Sequence, residues 1–256
     1  MDFGTDYPTS EKRRFPQLAT IGLTGLLVTF SDALNEPANR AALAFRAWLE
    51  TENWPGVEET TTALTSVYVG FDPRGIDHAT LRTRLEDALN QQDWYASPLP
   101  RNRRLWHIPT VFGGPSAPQL DQAASLAGLS AAEAIAQLST QQVRVLTIGY
   151  APGQPYLGIL PQQWNIPRQT ELTKQVPVGA LTIAVRQFVL FTAATPTGWR
   201  HIGQTAFRGF QPESKSPFML RLGDEVVFQQ VTAEEMANFQ TNDASGAGGT
   251  TWREIA

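Results

Sequence analysis

The chain has 256 residues, 42% of them hydrophobic and 17% charged, enough to bury one large core or two ordinary ones. A formal net charge of -4 leaves no basic footprint, which disfavours nucleic acid and anionic membranes as partners. The absence of cysteine excludes disulfides, thiol nucleophiles and thiolate zinc sites.

Residues 1–16 are polar and mixed in charge, without the apolar core of a signal peptide, and read as a disordered arm. The apolar run 21–30 is broken by Gly22, Thr24 and Gly25 and is too short to span a bilayer. The expectation is a soluble, cytoplasmic protein. Residues 18–30 form a strand candidate, and Asn35 followed by Pro37 marks a helix start with Leu43, Phe45, Trp48 and Leu49 as its buried stripe. From 57 to 71 the pattern is β, with Val67, Val69 and Phe71 at period two, and the length fits two strands joined by a tight bend. Asp77 caps a second helix in which Leu81, Leu85 and Leu89 share a face. A closing strand near 105–111 would complete a small ferredoxin-like α/β domain.

The second half reads differently. Two short helices, 119–127 and 131–138, the latter opened by the capping box Ser130-Ala-Ala-Glu133, precede many short apolar runs separated by Gly and Pro. Such spacing predicts a closed β-barrel, which hides its own strand edges. The assignment is α+β, with domains at 17–100 and 101–235 and a boundary between Asn90 and Arg104, where Pro98 and Pro100 interrupt the pattern. Residues 236–256, rich in Asn, Thr, Ser and Gly, read as a flexible tail, with Gly246-Ala-Gly-Gly249 as a linker.

Familiar catalytic signatures are missing. The three histidines, His78, His107 and His201, show no metal-ligand spacing, and neither a Gly-x-Ser-x-Gly elbow nor a phosphate loop occurs. The predicted metal ligands are therefore none. The informative segment is Gly149-Tyr-Ala-Pro-Gly-Gln-Pro-Tyr-Leu-Gly158, whose Pro and Gly residues fix an irregular path with exposed main-chain amides suited to an anion or a carboxylate. By itself this segment is equally a rigid barrel rim. Arg168, Lys174, Gln187, Arg200 and His201 follow it, and Tyr156 and Trp199 offer ring faces to a pocket or to the core.

Gly149-Tyr-Ala-Pro-Gly153, Tyr156-Leu-Gly, Leu160-Pro161, Pro167-Arg168, Val176-Pro-x-Gly179, Gln187, Gly198-Trp199, Ile202-Gly203 and Thr205 together resemble the signature of the 5-oxoprolinase B-subunit family, also called allophanate hydrolase subunit 1 or the KipI family, with its carboxyltransferase domain. Ile108-Pro109 and Gly113-Gly114 resemble the family's entry to its second domain, and Leu222-Gly-Asp-Glu-Val-Val-Phe228 its closing strand. The resemblance implies a cyclophilin-like β-barrel after the α+β domain. It also implies an enzyme inert alone, which shares its active site with a homologous C-subunit of the allophanate hydrolase subunit 2 type. With an A-subunit, the assembly would hydrolyse a cyclic amide using ATP and Mg²⁺. On this resemblance the expected catalytic residues are Arg168, Lys174 and Gln187, and the expected substrate- or nucleotide-binding residues are Tyr150, Pro152, Gly153, Tyr156 and Trp199. The family's other members imply two alternatives, a KipI-like inhibitor of a sensor histidine kinase and an accessory of an allophanate hydrolase or urea carboxylase. The sequence departs from the family at Tyr150 and Gln154, where phenylalanine is common, and at Thr173-Lys174, where a Pro-Arg pair is usual.

Overall fold

A computed structural model describes residues 14–243 and 245–255; most of the arm expected at 1–16 lies outside these residues. The chain divides into two compact units, one formed by residues up to 97 apart from 62–64, the other by 62–64 and 98–256.

In the first unit the strands are β1 (Gln17–Ile21), β2 (Gly25–Thr29), β3 (Val57–Ala63) and β4 (Ser66–Phe71), in sheet order β1-β2-β4-β3. The run 18–30 is thus a hairpin instead of one strand, because Gly22 takes a left-handed φ of 63° and lets the chain reverse before Gly25. Leu26 and Val28 alternate with solvent-side residues along β2, and Val67, Val69 and Phe71 do so along β4. These residues pack against helices α1 (Glu36–Glu52) and α2 (His78–Asn90) through Ala38, Ala42, Phe45, Leu49, Leu81 and Leu85. Asn35 Oδ1 accepts from Ala38 N at 2.9 Å and Asp77 Oδ1 from Thr80 N at 2.9 Å, so each helix starts where its side chain satisfies an otherwise orphaned amide. Trp94 closes the core, edge-on to Phe45 at 5.0 Å with its indole N–H donated to Ala88 O.

The expected closing strand of this sheet is absent from it. Residues 105–111 lie in β5 (Arg103–Phe112) of the second unit, and β1 holds the sheet edge beside β2. The second unit is a seven-stranded closed barrel. With β6 (Gln142–Ile148), β7 (Pro155–Gly158), β9 (Ala180–Ala184), β10 (Gln187–Leu190), β12 (Arg200–Gln204) and β13 (Glu225–Gln230), the order is β12-β9-β10-β7-β6-β13-β5, and β12 pairs back onto β5. Its interior holds Trp106, Ile108, Val145, Leu157, Leu181, Ile183, Phe188, Leu190, Ile202 and Phe228. Helices α3 (Leu120–Leu126) and α4 (Ala131–Leu138) add Leu120, Ala123, Ala134 and Leu138, and the Ser130–Glu133 capping box is formed. A two-stranded ribbon of β8 (Thr173–Val176) and β11 (Thr195–Thr197) lies outside this order.

The described residues of 236–256 do not form a tail. Most of helix α5 (Ala233–Asn242), opened by the capping box Thr232–Glu235, and strand β14 (Thr251–Ile255) fall there. Between them Gly246, Gly248 and Gly249 take left-handed φ values, and a Cβ on Gly249 would come within 2.5 Å of Phe239 Cε1, so the glycine run is a packed turn. Composition concealed this because small polar residues serve tight turns as well as mobile linkers.

Strand β5 carries three neighbours. β13 pairs in parallel with residues 105–110, while β14 and β12 pair antiparallel with residues 103–107 and 111–112. A strand has two edges, so β12 and β14 share the one that β13 leaves open. Asp224, only 2% exposed, pins the start of this strand: it accepts from Arg104 Nη2 at 2.5 Å, from Trp106 Nε1 at 3.1 Å and from Arg221 N at 3.0 Å. The Arg104 guanidinium lies 4.7 Å from the Trp106 ring and 5.6 Å from that of Trp252 on β14. Replacing Asp224 by alanine strands a largely buried guanidinium, so Asp224→Ala should lower unfolding free energy by about 3–5 kcal/mol. Urea denaturation measures this, and a loss below about 1 kcal/mol would show that the network is dispensable.

Candidate functional site

Because the barrel interior is filled, the candidate site is a cleft on its outer wall. Along β10, Phe188 and Leu190 point inward while Val189 points out; Phe191 follows on the outer side, and on β9 Ala180 and Ala184 do the same. These residues, with Val176, Trp199 and the partly buried Tyr156, form a third apolar cluster. Over it opens a cleft of about 260 Å³ lined by Tyr150, Gln154, Tyr156, Arg168, Leu172, Val189, Phe191 and residues 196–199.

Each wall has a local cause. The loop between β6 and β7 closes on itself, with Gly149 N donating to Gln154 O at 3.0 Å and Gln154 N to Ala151 O at 3.1 Å. Two amides expected to face a ligand are therefore committed within the loop. Gly153 takes a φ of 69°, and an added Cβ would meet Phe210, Gly209 O and Phe218 at 3.2–3.3 Å, so only glycine fits there without displacement. Thr192 Oγ1 holds Pro152 O at 2.8 Å. This anchoring leaves Tyr150 at a φ of 71° and 75% exposed at the cleft.

The opposite wall is held by amide side chains. Gln119 Oε1 accepts from His201 N at 2.7 Å, and Gln119 Nε2 donates to Gln169 Oε1 at 2.7 Å. Gln169 Nε2 reaches Trp199 O at 3.1 Å, and Gln169 N bonds Gly198 O at 2.7 Å. Arg168 is thereby placed beside Trp199, its guanidinium 5.1 Å from the ring centroid, and Tyr156 meets the same indole edge-on at 6.0 Å.

Of the residues selected from sequence, Tyr150, Tyr156, Arg168 and Trp199 line the cleft. Pro152 and Gly153 shape its loop without lining it. Lys174 is an exposed residue of β8 outside the lining. Gln187 opens β10 on the face of Val189, 7% exposed with Nε2 unpartnered, and it too is outside the lining. Gln154, which the sequence marks only as a departure, borders the cleft, 1% exposed with Oε1 unpartnered.

The lining offers one cation, an apolar floor and neutral polar groups, and no carboxylate or imidazole. That set suits a small ligand with one anionic or carbonyl group. It does not suit ATP with Mg²⁺: the volume falls below the roughly 300–1,000 Å³ of small-molecule sites, and among the described residues no group of three or more His, Cys, Asp or Glu gathers to hold a metal. Among the same residues, no helix is long and apolar enough to cross a membrane.

Comparison with known proteins places these features among relatives. Residues 16–220 match the model of the carboxyltransferase domain, subdomain C and D. The chain is 30% identical over 229 residues to the 5-oxoprolinase B-subunit of Bacillus subtilis (strain 168), covering 86% of this chain and 94% of that protein. It is 37% identical over 145 residues to the protein of the same name from Escherichia coli O157:H7, covering 56% of this chain and 66% of that one. A crystal structure of TTHA0988 superposes with a TM-score of 0.69 at 28% identity, over 82% of this chain and 40% of that one, so the match spans well under half of the solved protein. Kluyveromyces lactis urea carboxylase shares the fold at 17% identity, with a TM-score of 0.69 over 93% of this chain and 24% of that chain.

His201, behind the wall at Gln119, is buried, and burial pushes its imidazole below the ordinary value of 6.5. The unfolded chain then binds the extra proton more readily, so the stability from neutral His201 is full above pH 6.5 and lost as pH falls below it. Denaturation midpoints at about pH 7.5 and about pH 5.5 should differ in the native protein, and that difference should shrink in His201→Gln. An equal pH dependence in both would exclude His201 as its source.

Proposed function

We propose, from the premise that this chain belongs to the carboxyltransferase domain family of subdomains C and D, together with the 5-oxoprolinase B-subunit, that it is one component of an ATP-dependent amide or lactam hydrolase. Its cleft forms one wall of an active site completed by a homologous C-subunit, with an A-subunit as a further member of the assembly.

The observation that carries this reading is the imbalance of the cleft. Arg168 over Trp199, which Tyr156 also meets, supplies binding and charge stabilisation, yet the lining has no carboxylate or imidazole to move a proton. Opening a lactam requires an activated carbonyl, donors for the developing oxyanion and a group that delivers a proton to the leaving nitrogen. Arg168 answers the second requirement; apart from the hydroxyls of Tyr150, Tyr156 and Thr197 the lining offers no group for the others, which on this reading fall to another polypeptide. The nucleotide and its Mg²⁺ belong to that partner side too, since this cleft suits neither. Tyr150 and Leu172, 75% and 65% exposed at the cleft, give the partner an apolar edge to cover, and covering it would exclude water from the reacting atoms.

Co-expression with a homologous C-subunit should give a stable complex that, with the A-subunit added, turns over 5-oxoproline with ATP, while the isolated chain is inert. Robust turnover by the isolated chain would overturn the shared site, and a stable complex without turnover in the presence of the A-subunit would favour an inhibitory or accessory role. Arg168→Ala should reduce turnover roughly 10- to 100-fold with an unchanged Tm, because the side chain is exposed and holds no core contact beyond the Trp199 face. An unchanged rate removes Arg168 from the site.

A further inference from the structure

The geometry points to Gln154 as the specificity-determining contact of the cleft, which reads an N–H group on the ligand while Arg168 holds its anionic or carbonyl group. The inference rests on the proposed hydrolase site and adds to it the residue that recognises the amide nitrogen.

Gln154 stands immediately before β7, with both of its main-chain polar groups engaged in the loop. Its backbone is therefore fixed, and only the side chain is adjustable. That side chain is 1% exposed, borders the cleft, and leaves Oε1 buried without a hydrogen-bond partner. A buried amide oxygen without a donor is disfavoured, and a leucine or methionine would fill similar space without that penalty. Packing therefore accounts for the volume of this side chain but not for its amide. The terminal torsion of glutamine is broad and roughly two-fold, so the amide can turn its oxygen toward a ligand without moving the backbone.

The other polar groups of the lining sharpen the reading. Arg168 donates only. Thr197 Oγ1 already accepts from Trp199 N at 3.0 Å. Gln187 Nε2 is also buried and unpartnered, but Gln187 is outside the lining. Tyr150 and Tyr156 also bring hydroxyls, which donate as well as accept, but Gln154 Oε1 alone among the side-chain oxygens of the lining is buried without a partner. The cleft thus sets a donor at Arg168 and this acceptor around an apolar floor of Val189 and Phe191. The complementary ligand is a small amide or lactam bearing a carboxylate, with its ring carbons on the floor and its N–H toward Gln154.

The test uses the complex co-purified with the C-subunit and two probes, 5-oxoproline and its N-methyl derivative, which differ at the nitrogen. Affinities are measured by calorimetry for the native complex, for Gln154→Met and for Gln154→Leu, the pair guarding against a variant that fails to fold. The native complex should prefer the N–H probe by about tenfold, and both variants should bring the two affinities within about twofold at an unchanged or higher Tm. An unchanged preference in the variants overturns the assignment while leaving the site standing, and so does an equal weakening of both probes, the mark of a merely structural residue. Failure of the native complex to bind either probe overturns the site and this inference together.

Discussion

Strand β5 has to satisfy three partners along ten residues, and the barrel exists because it does. β13 runs along one edge, while β14 and β12 divide most of the other, so the cylinder closes with partners on both edges of β5. The carboxylate of Asp224 gathers donors from Arg104, Trp106 and Arg221 where β5 begins and β13 approaches, and beside it Arg103 pairs with Glu225, which Gln142 also reaches. Closure has a chemical consequence. The lumen becomes a packed apolar core, and any polar ligand has to be received on the outside of the wall.

The outer wall is built for reception more than for reaction. Its floor is apolar, its one cation rests on an indole face, and its loop is held by glycine geometry and internal hydrogen bonds instead of by bulk. A candidate site of this kind is preorganised, since Arg168 and Tyr156 each already rest against Trp199 before anything binds, and little ordering remains to be done. The division of labour proposed above fits that economy, with this chain to fix the ligand and a second polypeptide to bring the groups that change protonation.

Much of the local architecture is legible in the sequence. Asn35, Asp77 and Ser130 are recognisable as caps because capping depends on residues three positions apart, and the structure forms all three. Residues 105–111 are recognisable as a strand, but their sheet is not, since pairing with β13 and β14 joins positions more than a hundred apart and no local pattern records it. The glycines at 246, 248 and 249 resemble a linker because composition does not distinguish a left-handed turn packed on Phe239 from a free one. In the site, motif and proximity single out Tyr150, Tyr156, Arg168 and Trp199. Lys174 and Gln187 fall outside the lining because nearness in sequence does not determine which residues border one concavity. The weight of Gln154 lies in an oxygen without a partner, which only three-dimensional structure reveals.

The pairing of β14 with β5 also bears on how the molecule is made. Thr251 sits opposite His107, so half of one barrel edge is supplied by residues that leave the ribosome long after the strand they cover. The first unit, whose sheet and helices are consecutive in sequence, can assemble while synthesis continues. The barrel has to wait with that edge of β5 uncovered, and loop closure over such a distance makes its completion the slow, aggregation-exposed stage of biogenesis. Chaperone dependence during expression should therefore be a property of the second unit and not of the first.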